Sequence, residues 1–328
     1  MNKFISFFAL LCSCFINSSW ANDDATFPIT IHHAFGTTVI KQKPQRIATV
    51  AWANHEVPLA LDVVPVGFAA ATFGDDDGDG VLPWVKAKLD ELHAQTPVLF
   101  DEGDGIDFEA VAATQPDVIL AAYSGLTKAD YDTLSMIAPV VAYPTAPWAT
   151  DWREMIRINS LGMGMPKEGE ALIKKIEADI ATRVAHYPEL KDKSIMLITH
   201  LDPTDLSVIR FYNANDTRVK FFNDLGMKSP ESVKALTFDG KFSGEASIEQ
   251  IDSFNDVDIF LTYGSDELKK PLLANPLMRK MRAIKNGSLV MLGNGPIATA
   301  ANPTPLSITW VLDDYLKALS DAAKKADK

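Results

Sequence analysis

From Pro166 to Pro188 the chain reads PKEGEALIKKIEADIATRVAHYP, and this stretch decides the architecture. Pro166 suits the first turn of a helix, where its missing N–H costs nothing, and Pro188 supplies a stop. Ala171, Leu172, Ile176, Ile180 and Val184 recur at near-helical spacing, while charged residues fill the opposite side. About 20 helical residues make a rod of roughly 30 Å. A rod in mid-chain is stiff where a Gly/Ser linker would be loose. It predicts two lobes joined by one long helix: residues 22–165, the helix over 166–188, and residues 189–328.

Each side of the rod repeats one rhythm. RIATVAW from Arg46, VVPVGFA, PVLF, DVILAAY and PVVAYP are short apolar runs, separated by helical patterns such as LPWVKAKLDELH, DFEAVAATQ and TKADYDTLSMIA. SIMLITHLD, VDIFLTYG and SLVML continue it beyond the rod, with helices expected over TRVKFFNDLG, SIEQIDSF, PLMRKMRAIKN and from Pro303 onward. Strands alternating with helices predict an α/β fold with a parallel sheet in each lobe, covered on both faces. Ligands of such lobes bind beyond the carboxyl ends of the strands. Two such rims, one per lobe, would then face each other across a cleft.

The whole sequence has 328 residues, with 43 acidic against 31 basic side chains and a net charge of −12. That balance argues against nucleic acid and anionic membrane surfaces as partners. The first 21 residues, MNKFISFFALLCSCFINSSWA, have one Lys, a short apolar run and a small-residue end at Ser19-Trp20-Ala21. They read as a secretory signal cleaved after Ala21, which places the mature protein in the periplasm. A competing reading lipidates Cys14. Cleavage at Ala21 removes both cysteines, and with them disulfide and thiolate chemistry.

IDFEAVAATQPDVILAAYSG (106–125) and ASIEQIDSFNDVDIFLTYGS (246–265) align without gaps, setting Glu109 against Glu249 and Tyr123 against Tyr263. Each Glu falls at a helix start, where it stabilises the helix dipole by about 0.3–1 kcal/mol. That accounts for either Glu alone but not for the pair.

With KPQRIATV, FEAVAATQPDVIL, SLGMGMPKEGEALIKKI and SIEQIDSFNDVDIFL in this order, the chain resembles the periplasmic substrate-binding proteins of ABC importers for ferric siderophores, cobalamin and haem. THLDPTDLSVIRFYNANDTRVKFFNDLG looks closest to the siderophore branch, with haem, cobalamin or a free metal ion as the alternatives. The resemblance implies a carrier and not an enzyme. It implies no cofactor, a monomer that delivers its cargo to a dimeric ABC permease, and Glu109 and Glu249 as the residues that dock on permease arginines.

The strand ends supply candidate ligand contacts. They are Trp52, Phe73, Tyr123 and Trp148 on the first lobe, and Arg210, Tyr212, Phe242 and Asn294 on the second. Aromatic side chains with polar handles suit an iron chelate. Arg210, directly after an apolar run, is the favoured cation for an anionic ligand, with Arg218, Arg153 and Lys241 next. Of Trp148 and Trp152, at least one is expected to pack inward, and Trp310 is expected in the core. His55 and His200 are the weak candidates for direct metal capture, and His32-His33 is expected at the surface. Asp75 to Gly80 imitates half a calcium loop, but Lys86 stands where a bidentate Glu belongs, so it reads as a solvated turn.

Overall fold

The computed structural model describes residues 25–199, 201–202 and 204–327. The expected signal sequence over residues 1–21, with Cys14, and His200 lie outside the described residues. Among the described residues no helix is long and apolar enough to cross a membrane.

The chain enters through an antiparallel hairpin, β1 (Ile29–His33) and β2 (Gly36–Ile40). His33 is buried here, contrary to expectation, because the strand alternation turns it inward, where its Nε2 meets the Thr38 hydroxyl at 2.9 Å. His32, one residue back, faces solvent.

The first lobe is built on β3 (Ile47–Thr49), β4 (Gly67–Ala69), β5 (Val98–Phe100), β6 (Val118–Ala121) and β7 (Val140–Ala142). They lie in the order β5-β4-β3-β6-β7, and every pairing is parallel. All residues of β3, β6 and β7 are buried, as expected of strands covered on both faces. The second lobe is built on β8 (Ile195–Ile198), β9 (Val208–Tyr212), β10 (Ser243–Ser247), β11 (Ile259–Thr262) and β12 (Leu289–Met291), in the order β10-β9-β8-β11-β12. Here β8, β11 and β12 are parallel, but β9 runs antiparallel to both its neighbours. The expected second parallel sheet is therefore a mixed one. The nine positions between β8 and β9 are fewer than the dozen or so residues that a parallel crossover needs, in keeping with the antiparallel pairing of the two strands.

The rod forms as Pro166–Val184, with the proline in its first turn. Gly169, Ile173, Ile176 and Ile180 are its buried stripe, Leu172 and Val184 are partly buried, and Ala171 is exposed. Before it runs a helix over Trp152–Gly162, capped by the Asp151 carboxylate, which accepts the Glu154 N–H at 3.0 Å. The two helices touch closely: a Cβ on Gly169 would stand 2.1 Å from the Ser160 hydroxyl. The last helix, Ser307–Ala326, packs back on the rod. One apolar cluster runs from Leu120 and Val141 in the first sheet, through Ile176 of the rod, to Leu197 and Leu261 in the second. The lobes thus share a core as well as a connection.

Trp152 is the inward tryptophan of its pair. Trp310 is 42% exposed, because the last helix turns that side outward and lays the indole against Trp84 at 5.1 Å between ring centres.

Candidate functional site

After β3 the chain passes through Ala51, Trp52 and Ala53, and both alanines have positive φ, 59° and 62°. Two contacts hold this unusual backbone. The Ala51 N–H donates to the Glu102 carboxylate at 2.9 Å, and the Asn54 side chain donates to the carbonyls of Val50 and Tyr123 while accepting the Tyr123 N–H at 3.0 Å. Asn54 therefore fixes the Trp52 loop against the end of β6, where Tyr123 stands.

Trp148 reaches the same place from a loop. Its φ is 59°, its N–H donates to the Ser124 carbonyl at 2.9 Å, and its ring meets Tyr123 edge-on at 5.3 Å. The indole lies directly on Gly125, where a Cβ would come within 2.5 Å of the Trp148 Nε1. Trp148 is 43% exposed, a large apolar surface left uncovered at a strand-end rim.

The opposite wall comes from the mixed sheet. Tyr212 ends β9, and the Arg218 guanidinium sits 3.6 Å from the centre of its ring. The Arg218 Nε and Nη2 donate to the two Asp216 oxygens at 2.8 and 2.7 Å, and the same guanidinium interacts electrostatically with the Tyr263 phenol. These contacts hold its pKa above the ordinary arginine range, against the opposing effect of burial. Burial likewise raises the Tyr123 and Tyr263 pKa values, so both phenols stay neutral. Trp52, Tyr123, Trp148, Tyr212, Phe242, Arg218, Asp216, Ser243 and Asn302 together enclose an open cavity of about 400 Å³ between the lobes.

Of the eight sequence candidates, Trp52, Tyr123, Trp148, Tyr212 and Phe242 converge there. Phe73 stands edge-on to Tyr263 at 6.3 Å, as part of a contact between lobes. Asn294 is exposed in the loop after β12. Arg210 is 64% exposed and pairs with Glu245 at 3.3 Å across β9 and β10, so the cation among the cleft aromatics is Arg218. Arg153 holds Asp224 with two hydrogen bonds, at 2.9 and 3.0 Å, and Lys241 is exposed. Asp216 and Asn302 were not anticipated. The signal for Asp216 was available, since Asn-Asp-Thr-Arg is a helix-start pattern and Asp216 caps Thr217–Asp224.

His55 is buried and stacked on Phe68, with ring centres 4.3 Å apart, and burial lowers its pKa to about 3. In the acidic turn the Lys86 ammonium bridges Asp77 and Asp79, while Asp75 accepts the Gly78 and Gly80 N–H groups. Glu109 and Glu249 are both exposed, in the first turns of Phe108–Ala113 and Ile248–Phe254. Side-chain caps from Asp107 and Ser247 open the two helices.

Residues 47–295 match the family model described as periplasmic binding protein. A crystal structure of Streptococcus pneumoniae TIGR4 PiaA in complex with ferrichrome superposes with a TM-score of 0.86 at 45% identity, over 90% of this chain and 99% of that one. The probable siderophore-binding lipoprotein YfiY of Bacillus subtilis is 26% identical over 300 residues, 85% of each chain. The ferric-anguibactin-binding protein FatB of Vibrio anguillarum is 26% identical over 310 residues, covering 88% of this chain and 87% of that one.

Proposed function

This chain belongs to the periplasmic binding protein family, and from that premise we propose that it captures a ferric hydroxamate siderophore between its lobes and delivers it to an ABC permease. The observation that carries the ligand class is the Arg218–Asp216 pair. Asp216 neutralises Arg218, among the described residues the one arginine that lines the cleft with the aromatics, so the cleft lining offers no net positive charge. Three hydroxamate arms balance a ferric ion and leave a neutral complex. Three catecholates leave a triply negative one, which this site would not neutralise and the acidic protein around it would repel. The PiaA structure, with ferrichrome as its ligand, supports the same class.

In this reading Trp52, Trp148, Tyr212 and Phe242 cover the apolar flanks of the chelate. Arg218 donates to metal-bound oxygens while Asp216 holds its orientation. The chain is exported to the periplasm by its first 21 residues, and Glu109 and Glu249, one on each lobe, meet basic residues of the permease. Residues 22–165 and 189–328 act as the two jaws.

The test is a tryptophan-fluorescence titration with ferric hydroxamates, catecholates and citrate, haem, cobalamin and free ferric ion. Saturable quenching by hydroxamates is expected at the lowest concentrations. Tighter binding of a catecholate, haem or cobalamin would overturn the reading.

A further inference from the structure

The cleft does not end at the Trp52 and Trp148 indoles. Both residues also line a second cavity, of about 360 Å³, that lies entirely within the first lobe. At ~30 Å³ for a water-sized group it has room for on the order of ten such groups. Its walls are largely apolar, with Phe68, Ala71, Leu82, Ile106 and Leu126 prominent, and no Lys or Arg is among its lining residues. His55, on its wall, is held neutral by burial.

Two carboxylates remain. Asp130 is occupied at a helix start, accepting the Thr127 N–H at 2.9 Å and its hydroxyl at 2.7 Å. Among the described residues Glu102 accepts from the Ala51 N–H alone, at 2.9 and 3.2 Å, and no basic side chain pairs with it. A carboxylate in an apolar wall without a cation is costly when ionised. The pKa of Glu102 accordingly rises to about 7. A ligand that brought its own cation would remove that cost.

Building on the hydroxamate reading, we infer that this cavity is a subsite for a siderophore arm ending in a primary ammonium group. The methylene stem of the arm lies along the apolar walls, and its ammonium pairs with Glu102, while the iron-bearing head stays between Trp52, Trp148, Tyr212 and Arg218. No group on the cavity wall repels the ammonium, and the acidic protein attracts it from a distance.

The experiment uses two ferric linear trihydroxamates with the same backbone, one ending in a primary ammonium and the other N-acetylated, with ferrichrome as a compact third ligand. Each is titrated into the mature wild-type protein and into its Glu102→Gln, Ala71→Leu and Arg218→Ala variants. Wild type should prefer the ammonium chelate to its acetylated twin by about tenfold or more, the scale of a charge-assisted hydrogen bond. Glu102→Gln should abolish that preference. If Glu102 only held Ala51, and through it Trp52, the variant would weaken both chelates alike and keep their ratio, which would overturn the inference. Ala71→Leu, which adds bulk to the cavity wall and keeps the Glu102 carboxylate, should weaken the tailed chelates while sparing ferrichrome, and equal effects on all three would also overturn it. Ferrichrome binding without any ammonium preference would remove the subsite and leave the hydroxamate reading intact. Failure of all three to bind wild type would remove both. Arg218→Ala should lower all three affinities together.

Discussion

Glu56, in the first lobe, accepts the backbone N–H of Leu306 at 2.9 Å, where the last helix of the second lobe begins. The same carboxylate accepts the Trp84 indole N–H at 2.7 Å, and Ser307 N–H lies at 3.4 Å. It is a fully buried acid that caps a helix belonging to the other lobe. Trp152 and Arg153 make a second tie, to Asp224, and Tyr123 and Asn302 a third, at 3.3 Å. With a shared core beside them, these ties predict closure of a few degrees and not a wide clamp.

Replacing Glu56 by Ala would leave buried N–H groups without acceptors. A loss of about 1–3 kcal/mol is expected, read as a lower denaturant midpoint with the slope unchanged. A midpoint equal to wild type would show that the tie carries no weight.

Arg218→Ala should weaken chelate binding by about 1–3 kcal/mol. Arg210→Ala removes only an exposed pair of the kind worth about 0–1 kcal/mol and should leave affinity where it is. Isothermal titration of both variants decides the matter, and the reverse ranking would return the role to Arg210.

Reversing charge at both docking candidates, Glu109→Lys with Glu249→Lys, should stop uptake by whole cells while the purified protein binds its ligand normally. The basis is that each residue is exposed in the first turn of a short helix, one per lobe. Normal iron uptake by the double variant would end this assignment.

Glu102 gives a pH signature. In the folded protein it keeps its proton up to a pKa of about 7, against an ordinary 4.5 in the unfolded chain, and burial is the main cause. Its contribution to stability is therefore complete below pH 4.5 and falls as pH rises through 7, above which both states are ionised. Glu102→Gln cannot ionise, so its melting temperature should improve relative to wild type on going from pH 4 to pH 8. A constant difference across that range would show that Glu102 has an ordinary pKa.

The rod was legible in the sequence because its period is long and uninterrupted, and Pro166 marks its start. The first sheet was legible because its strands are short apolar runs separated by full helices. β9 was not, because Val208 to Tyr212 buries only Ile209 and Phe211 and reads from sequence as a cleft edge, not as a strand reversing direction. The same reversal explains Arg210. On a strand with one face open, the residue between two buried neighbours points to solvent, and there it finds Glu245 on β10. Arg218 ranked below Arg210 because it falls in a helical pattern. Its place among the cleft aromatics depends on Asp216 and Tyr212, which the turn between β9 and the next helix brings beneath it. Of the six aromatic candidates all but Phe73 line the one cavity, since each of these five stands at a strand end or on a loop at that rim.

Because the Trp148 indole rests on bare backbone at Gly125, a single methyl group there would act as a plug. Gly125→Ala would push the ring off its seat and into the cavity it now borders. If Glu109 and Glu249 dock as proposed, such a copy would occupy the transporter with nothing to deliver. Produced beside the wild-type carrier, it should slow iron uptake in proportion to its share of the pool, an inhibitor made from the protein itself by the smallest possible side chain.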